Sequence, residues 1–88
     1  MTDIIQTIKK AAQERKILKI VYQEKDGTNE GWREVEPYSF SHDDGDKALF
    51  AWDIDKNGIR RFALDRITQT EITNVSFNPR YPIEINWI

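Results

Sequence analysis

Turn chemistry sets the spacing of everything that follows residue 16. Asp26-Gly27, the run Ser41-His42-Asp43-Asp44-Gly45-Asp46 and the run Asp55-Lys56-Asn57-Gly58 are stretches in which Gly, Asn and Asp tolerate positive φ or hydrogen-bond their own backbone. Between them lie runs too short for stable helices but of ordinary strand length. These runs are rich in β-branched and aromatic residues and alternate with period two. Residues 17–23 place Leu18, Ile20 and Tyr22 on one face. Residues 32–40 place Arg33, Val35 and Pro37 on one face, and Trp32, Glu34, Glu36, Tyr38 and Phe40 on the other. Residues 47–54 put Ala48, Phe50, Trp52 and Ile54 on one side. Residues 59–64 and 67–75 complete five strands, the last two joined only by Asp65-Arg66. Pro37 cannot donate to a ladder, so its strand is expected to lie at an edge or to bulge there.

Only the N-terminal stretch carries a helical period. Ile4, Ile5, Ile8, Ala11 and Ala12 fall at i, i+1, i+4, i+7 and i+8 on one face. Asp3 before it and Arg15 and Lys16 after it suit the helix dipole, and the helix is expected to end near Arg15. One helix and five short strands predict a mostly β domain, α+β by content. The expected architecture is a small twisted sheet closing into a partly open, five-stranded barrel, with the helix over one opening. Eighty-eight residues suit a single domain spanning 1–88. Its parts are a helix over 1–15, a barrel over 16–76 and an extended C-terminal tail over 77–88.

Several function classes are disfavoured at once. There is no cysteine, which removes disulfide frameworks and thiolate metal sites and fits a reducing compartment. No apolar run approaches the roughly 20 residues of a membrane span, and the first residues lack a signal peptide's hydrophobic region. A cytoplasmic location without a membrane partner is therefore expected. His42, the one histidine, sits in an acidic turn beside Ser41 and Asp43. Sequence neighbours cannot present a catalytic relay, and no second spaced cluster completes a metal site. A glycine-rich phosphate loop and a nucleophile elbow are both missing. No enzyme activity, catalytic residue, cofactor or metal is expected.

Charge is more informative. The formal net charge is −2, which argues against non-specific coating of nucleic acid, a process driven by phosphate neutralisation. Any anion site must be built locally. Residues 43–58 hold five acids and two bases, whereas residues 59–66 hold Arg60, Arg61 and Arg66 against Asp65 alone. In an extended strand Arg60 and Phe62 share one face, Arg61 and Ala63 the other. Arg60 must then either lay its stem over an aromatic ring with its head in water, or line a site for an anion. Asp65 is expected to fix the corner by accepting turn N–H groups. Arg66 pairs with it or projects outward, and Arg61 is expected to be solvated.

These residues resemble a known family. Arg60, Phe62, Leu64, Asp65, Arg66 and Ile67 stand in the pattern R-x-F-x-L-D-R-I, which is similar to the signature of the WYL domain. Leu18, Ile20 and Tyr22 resemble that family's first strand. Arg33, Val35, Pro37 and Tyr38 resemble its R-x-V-x-P second strand, and Phe77, Pro79 and Arg80 its closing F-x-P. The resemblance covers about residues 4–80. It departs at the tripeptide that names the family, where this chain has Lys47-Ala48-Leu49. Trp52, five residues on, supplies bulk from a different position. The resemblance implies a small Sm-like or SH3-like β-barrel acting as a ligand-sensing module. Such modules occur mostly in bacterial transcription regulators, behind a winged helix-turn-helix, and some serve CRISPR or phage-defence systems. Their ligand is thought to be a nucleic acid or nucleotide-like anion, held by basic and aromatic residues. With one helix before the barrel, this chain is not expected to read duplex DNA in the major groove by itself.

Two readings follow. In the first, the chain binds single-stranded RNA or DNA or a nucleotide: Arg33, Arg60 and Arg66 contact phosphates, while Tyr22, Tyr38 or Trp52 offers a stacking platform. Pro37 and Asp65 then serve as structural corners. In the second, the chain is a protein-interaction or oligomerisation module, a homodimer or a partner's docking surface. Its working parts are then the edge strands and the aromatic tail, with the arginines paired to the acidic 43–58 segment.

Overall fold

Five antiparallel strands and one helix account for most of the chain. The computed structural model describes residues 4–41 and 47–85. Helix α1 (Ile4–Glu14) leads into β1 (Lys16–Gln23), β2 (Asn29–Phe40), β3 (Ala48–Asp53) and β4 (Gly58–Ala63). A single 3-10 turn (Leu64–Arg66) then precedes β5 (Ile67–Ser76). The strand order is β4-β3-β2-β1-β5, so the 3-10 turn throws the chain from one end of the sheet to the other. The expected turn over residues 41–46, including His42, falls largely outside the described residues. Asp3 and the last three residues lie outside them as well.

The helix ends where its period fails. Arg15 adopts φ 54° and its N–H reaches back to the Ala12 carbonyl at 3.2 Å, the left-handed residue that commonly follows a last helical turn. Arg15 and Lys16 lie just past that turn, which itself holds no basic residue. The apolar stripe does what its spacing predicts: Ile8, Ala11 and Ala12 are buried against β1, β2 and β5. They join Leu18, Ile20, Val35, Leu49, Ala51, Phe62 and Ile67 in one core.

The sheet does not close. β4 and β5 are its two edges, with no ladder between them among the described residues, so the expected mostly β, five-stranded architecture is present as an open, curled sheet. Helix α1 packs on β5, β1 and β2. The curl is strong. β4 and β1 stand three strand spacings apart, about 14 Å across a flat sheet. Yet the Tyr22 hydroxyl accepts the Ala63 N–H at 3.0 Å, and the Tyr22 and Phe62 rings meet edge to face at 5.0 Å.

β2 is central, and of the two alternatives for Pro37 it is the bulge that is realised: its pairing with β3 shifts register between Pro37 and Ser39. Bulges absorb a missing donor in this way. In β3 the aromatic side is not the core side. Leu49, Ala51 and Asp53 are buried, while Phe50 and Trp52 are only half-buried on the opposite face. The register Val35↔Asp53 and Pro37↔Ala51 places β3's small and acidic residues inward, opposite Val35.

The described part of the tail, residues 77–85, fills a gap within the sheet. Pairing of β1 with β2 runs no further than Leu18↔Val35. Beyond that point Glu84 takes up the vacated side of β2, donating its N–H to the Tyr38 carbonyl at 2.7 Å. Ile85 then enters the core.

Candidate functional site

The site begins with a buried acid. Asp53 closes the turn after β3: its Oδ1 accepts the Asp55 and Lys56 N–H groups at 3.0 and 3.2 Å. The Asn57 N–H returns to its carbonyl at 2.8 Å. Asn57 takes φ 57°, the conformation that made this sequence readable as a turn. The other oxygen, Oδ2, accepts Nη1 of Arg33 at 3.1 Å. Arg33 is itself almost wholly buried, two residues along β2 from the residue that faces Asp53.

A second acid lies above this pair. Glu24 follows the last residue of β1. Its carboxylate accepts Nη2 of Arg33 at 3.4 Å, and Nη2 of Arg60 lies 3.3 Å from both of its oxygens. Arg60 also approaches Asp53, at 3.9 Å. Arg66, at the end of the 3-10 turn, donates Nη1 to the Glu24 backbone carbonyl at 3.3 Å. Arg60 lies over aromatic rings, its guanidinium 5.0 Å from the Phe62 ring centre and 5.9 Å from that of Tyr22, but its head pairs with Glu24 rather than with water. Beside it opens a cleft of about 560 Å³ lined by Tyr22, Glu24, Lys25, Asp26, Arg60, Arg61 and Ala63. Within the cleft the Thr28 N–H and hydroxyl hold the Asp26 carboxyl below the usual carboxylate range.

The six expected ligand residues therefore separate. Arg33, Arg60 and Arg66 converge on Glu24, with Tyr22 beneath Arg60. Tyr38 and Trp52 belong to another cluster, on the other side of the sheet. Trp52 pairs with Glu36, one residue from the inward pair Val35↔Asp53, so its side chain leaves the opposite face. There the Tyr38 hydroxyl donates to Glu36 Oε1 at 2.7 Å and accepts the Arg80 N–H at 2.8 Å. Arg80 Nε donates to the same Glu36 oxygen at 3.1 Å, and its guanidinium lies 4.3 Å from the Trp52 ring centre. Tyr81 closes over both rings. Burial, with the Glu36 hydrogen bond adding to it, pushes the Tyr38 phenol up to about 12.

Asp65 does not fix its corner. It is exposed, and no side chain caps the 3-10 turn. Backbone closes it instead: Ile67 N–H to the Leu64 carbonyl, and Leu64 N–H to the Lys47 carbonyl at 3.0 Å. Arg61 is exposed and lines the same cleft as Arg60. Sequence reasoning missed Glu24 and Asp53, the two acids that organise the cluster. Asp53 reads as a turn residue, and only the β2–β3 register reveals it as Arg33's counterion.

Comparison with known proteins bears on the family and the fold. The family model of the WYL domain matches residues 3–72. A solved structure, Proteasome accessory factor B/C (PafBC) of Arthrobacter aurescens, is similar in fold, with a TM-score of 0.74 at 23% sequence identity. The match covers 88% of this chain and 13% of that one. No curated protein matches the chain.

Proposed function

The chain belongs to the WYL domain family, and from that premise we propose that it is a regulatory sensing module for a phosphate-bearing ligand. The ligand class is single-stranded nucleic acid or a nucleotide. The setting is a bacterial transcription regulator or a phage-defence protein, and the curled sheet is an unclosed version of the Sm-like or SH3-like barrel. One observation carries the reading: arginines from β2, β4 and the 3-10 turn meet at a single point, beside a cleft of ligand size. Guanidinium forks match phosphate oxygens bidentately.

The roles differ from the sequence expectation. Arg33 is held by Asp53 and shapes the site from below, so Arg60 and Arg66 are the phosphate contacts. Tyr22 is only 6% exposed and lies under Arg60, which leaves it no free face for a base. The guanidinium plane of Arg60 is the surface on which a base would stack. Trp52 and Tyr38 take no part. Fluorescence anisotropy with labelled single-stranded RNA and DNA, at low and physiological salt, tests this. Arg60→Ala and Arg66→Ala should each weaken binding and each lower the salt slope by about 1. Folded wild type that binds neither strand at micromolar concentration would sink the reading.

A second reading rests on surface composition. Ile59 on edge strand β4 and Val75 near the end of edge strand β5 are 44% and 55% exposed, features of a protein-interaction or self-association surface. Under this reading Ile59→Lys would dissolve an oligomer seen by analytical ultracentrifugation.

A further inference from the structure

The two acids of the arginine cluster are held very differently. Asp53 is fully enclosed, and its bonds to Arg33 and to two backbone N–H groups span 3.0–3.2 Å. Glu24 has 27% of its side chain exposed, and its contacts with Arg33 and Arg60 are all 3.3–3.4 Å. Buried and bonded to two backbone N–H groups, Asp53 is a fixed counterion, whereas Glu24 is open to solvent and held by guanidinium groups only.

The β1–β2 turn that carries Glu24 is otherwise self-contained. Glu24 N–H donates to the Thr28 carbonyl and Gly27 N–H to the Glu24 carbonyl, both at 2.9 Å. Asp26 binds the Thr28 N–H and hydroxyl at 2.9 and 2.7 Å. Among the described residues, Glu24 ties this turn to β4 and the 3-10 turn, by the side chain to Arg60 and by the carbonyl to Arg66.

We propose that Glu24 is a built-in anion that occupies the arginine site, and that an incoming phosphate must displace it, releasing the β1–β2 turn. This rests on the reading of the site given above and adds its regulation. A carboxylate and a phosphate engage a guanidinium fork in the same way, so they compete for Arg60. Arg33 and Arg60 are already balanced by Asp53 and Glu24. A phosphate that arrived without expelling Glu24 would meet a like charge in a partly desolvated site, which is unfavourable. With Glu24 swung outward, Asp53 keeps Arg33 in place and Arg60 becomes available. Ligand occupancy is thereby converted into freedom of a surface turn. Glu24 also lowers apparent affinity, because only the fraction of molecules with an open site can bind.

The experiment compares the full chain with Glu24→Gln and with Glu14→Gln, an equal charge change at the exposed end of α1. The probe is one labelled single-stranded oligonucleotide, read by anisotropy. Glu24→Gln should bind about 10-fold tighter than wild type, and Glu14→Gln within about twofold of it. Hydrogen exchange is then followed on wild type alone. The Glu24 and Gly27 amides should exchange faster when the protein is saturated with the oligonucleotide, a readout that needs no folded variant. Equal affinity of wild type and Glu24→Gln, or a turn whose exchange is unchanged on saturation, overturns the displacement while leaving the anion site standing. Binding by neither protein overturns both.

Discussion

Arg33 and Arg60 contact the same carboxylates from different depths, and depth decides what each is worth. Removing one partner of a buried, hydrogen-bonded ion pair leaves the other charged and uncompensated, whereas a part-exposed pair is screened by water. Arg33→Ala strands Asp53 in the interior and should cost about 3–5 kcal/mol in a urea melt. Arg60→Ala, whose side chain is 28% exposed, should cost less than about 1 kcal/mol. It is therefore the cleaner substitution for binding studies. A second test at this scale concerns Tyr38. The folded state holds its phenolic proton more tightly than the unfolded chain, whose tyrosines titrate near 10.0. The stability this contributes is present in full below pH 10 and is lost as pH rises towards about 12. An ultraviolet titration of tyrosinate should show one late-ionising group, and Tyr38→Phe should abolish it.

The elements were legible in sequence to the extent that their chemistry is local. The stripe Ile4, Ile8, Ala11 and Ala12 predicts α1, and the Asp-Gly and Asn-Gly signals predict the turns, because a helical period and a positive φ need no distant partner. Arg15 carries the same logic in reverse. It sits at φ 54° just past α1, where an L side chain is strained and glycine is not. Arg15→Gly should raise stability by about 1 kcal/mol in the same urea melt. What was not legible is whatever depends on the neighbouring strand. Phe50 and Trp52 outrank Leu49, Ala51 and Asp53 in bulk, yet the register with β2 turns them outward. Asp53 is acceptable inside only because Arg33 arrives from β2. The convergence of Arg60 and Arg66 on Glu24 likewise requires the sheet to curl until β1 meets β4. Strand alternation alone cannot specify that curl. It could show that Arg60 shares a face with Phe62, but not that Tyr38 and Trp52 belong to a different site.

At the scale of the whole molecule, the open sheet and the tail are one problem. A sheet that fails to close leaves core and outer face short of cover, and the segment after β5 supplies both. Ile85 fills the core, while Tyr81 and Arg80 lie over Tyr38 and Trp52 on the outside. An aromatic tail on a small domain invites reading as a dimer interface, but here Ile85, Tyr81 and Arg80 pack against the chain's own core and rings. The two ideas predict opposite results for a chain ending at Arg80. If the tail is an interface, truncation abolishes an oligomer and leaves the fold's stability intact. If it is cover, truncation removes one buried isoleucine and one partly buried one, each worth about 1.5–3 kcal/mol when fully buried. It also uncovers the Trp52–Tyr38 cluster. The structure favours cover, so the truncated chain should lose roughly 2–5 kcal/mol in a urea melt. In sedimentation velocity it should self-associate more strongly than the full chain, not less.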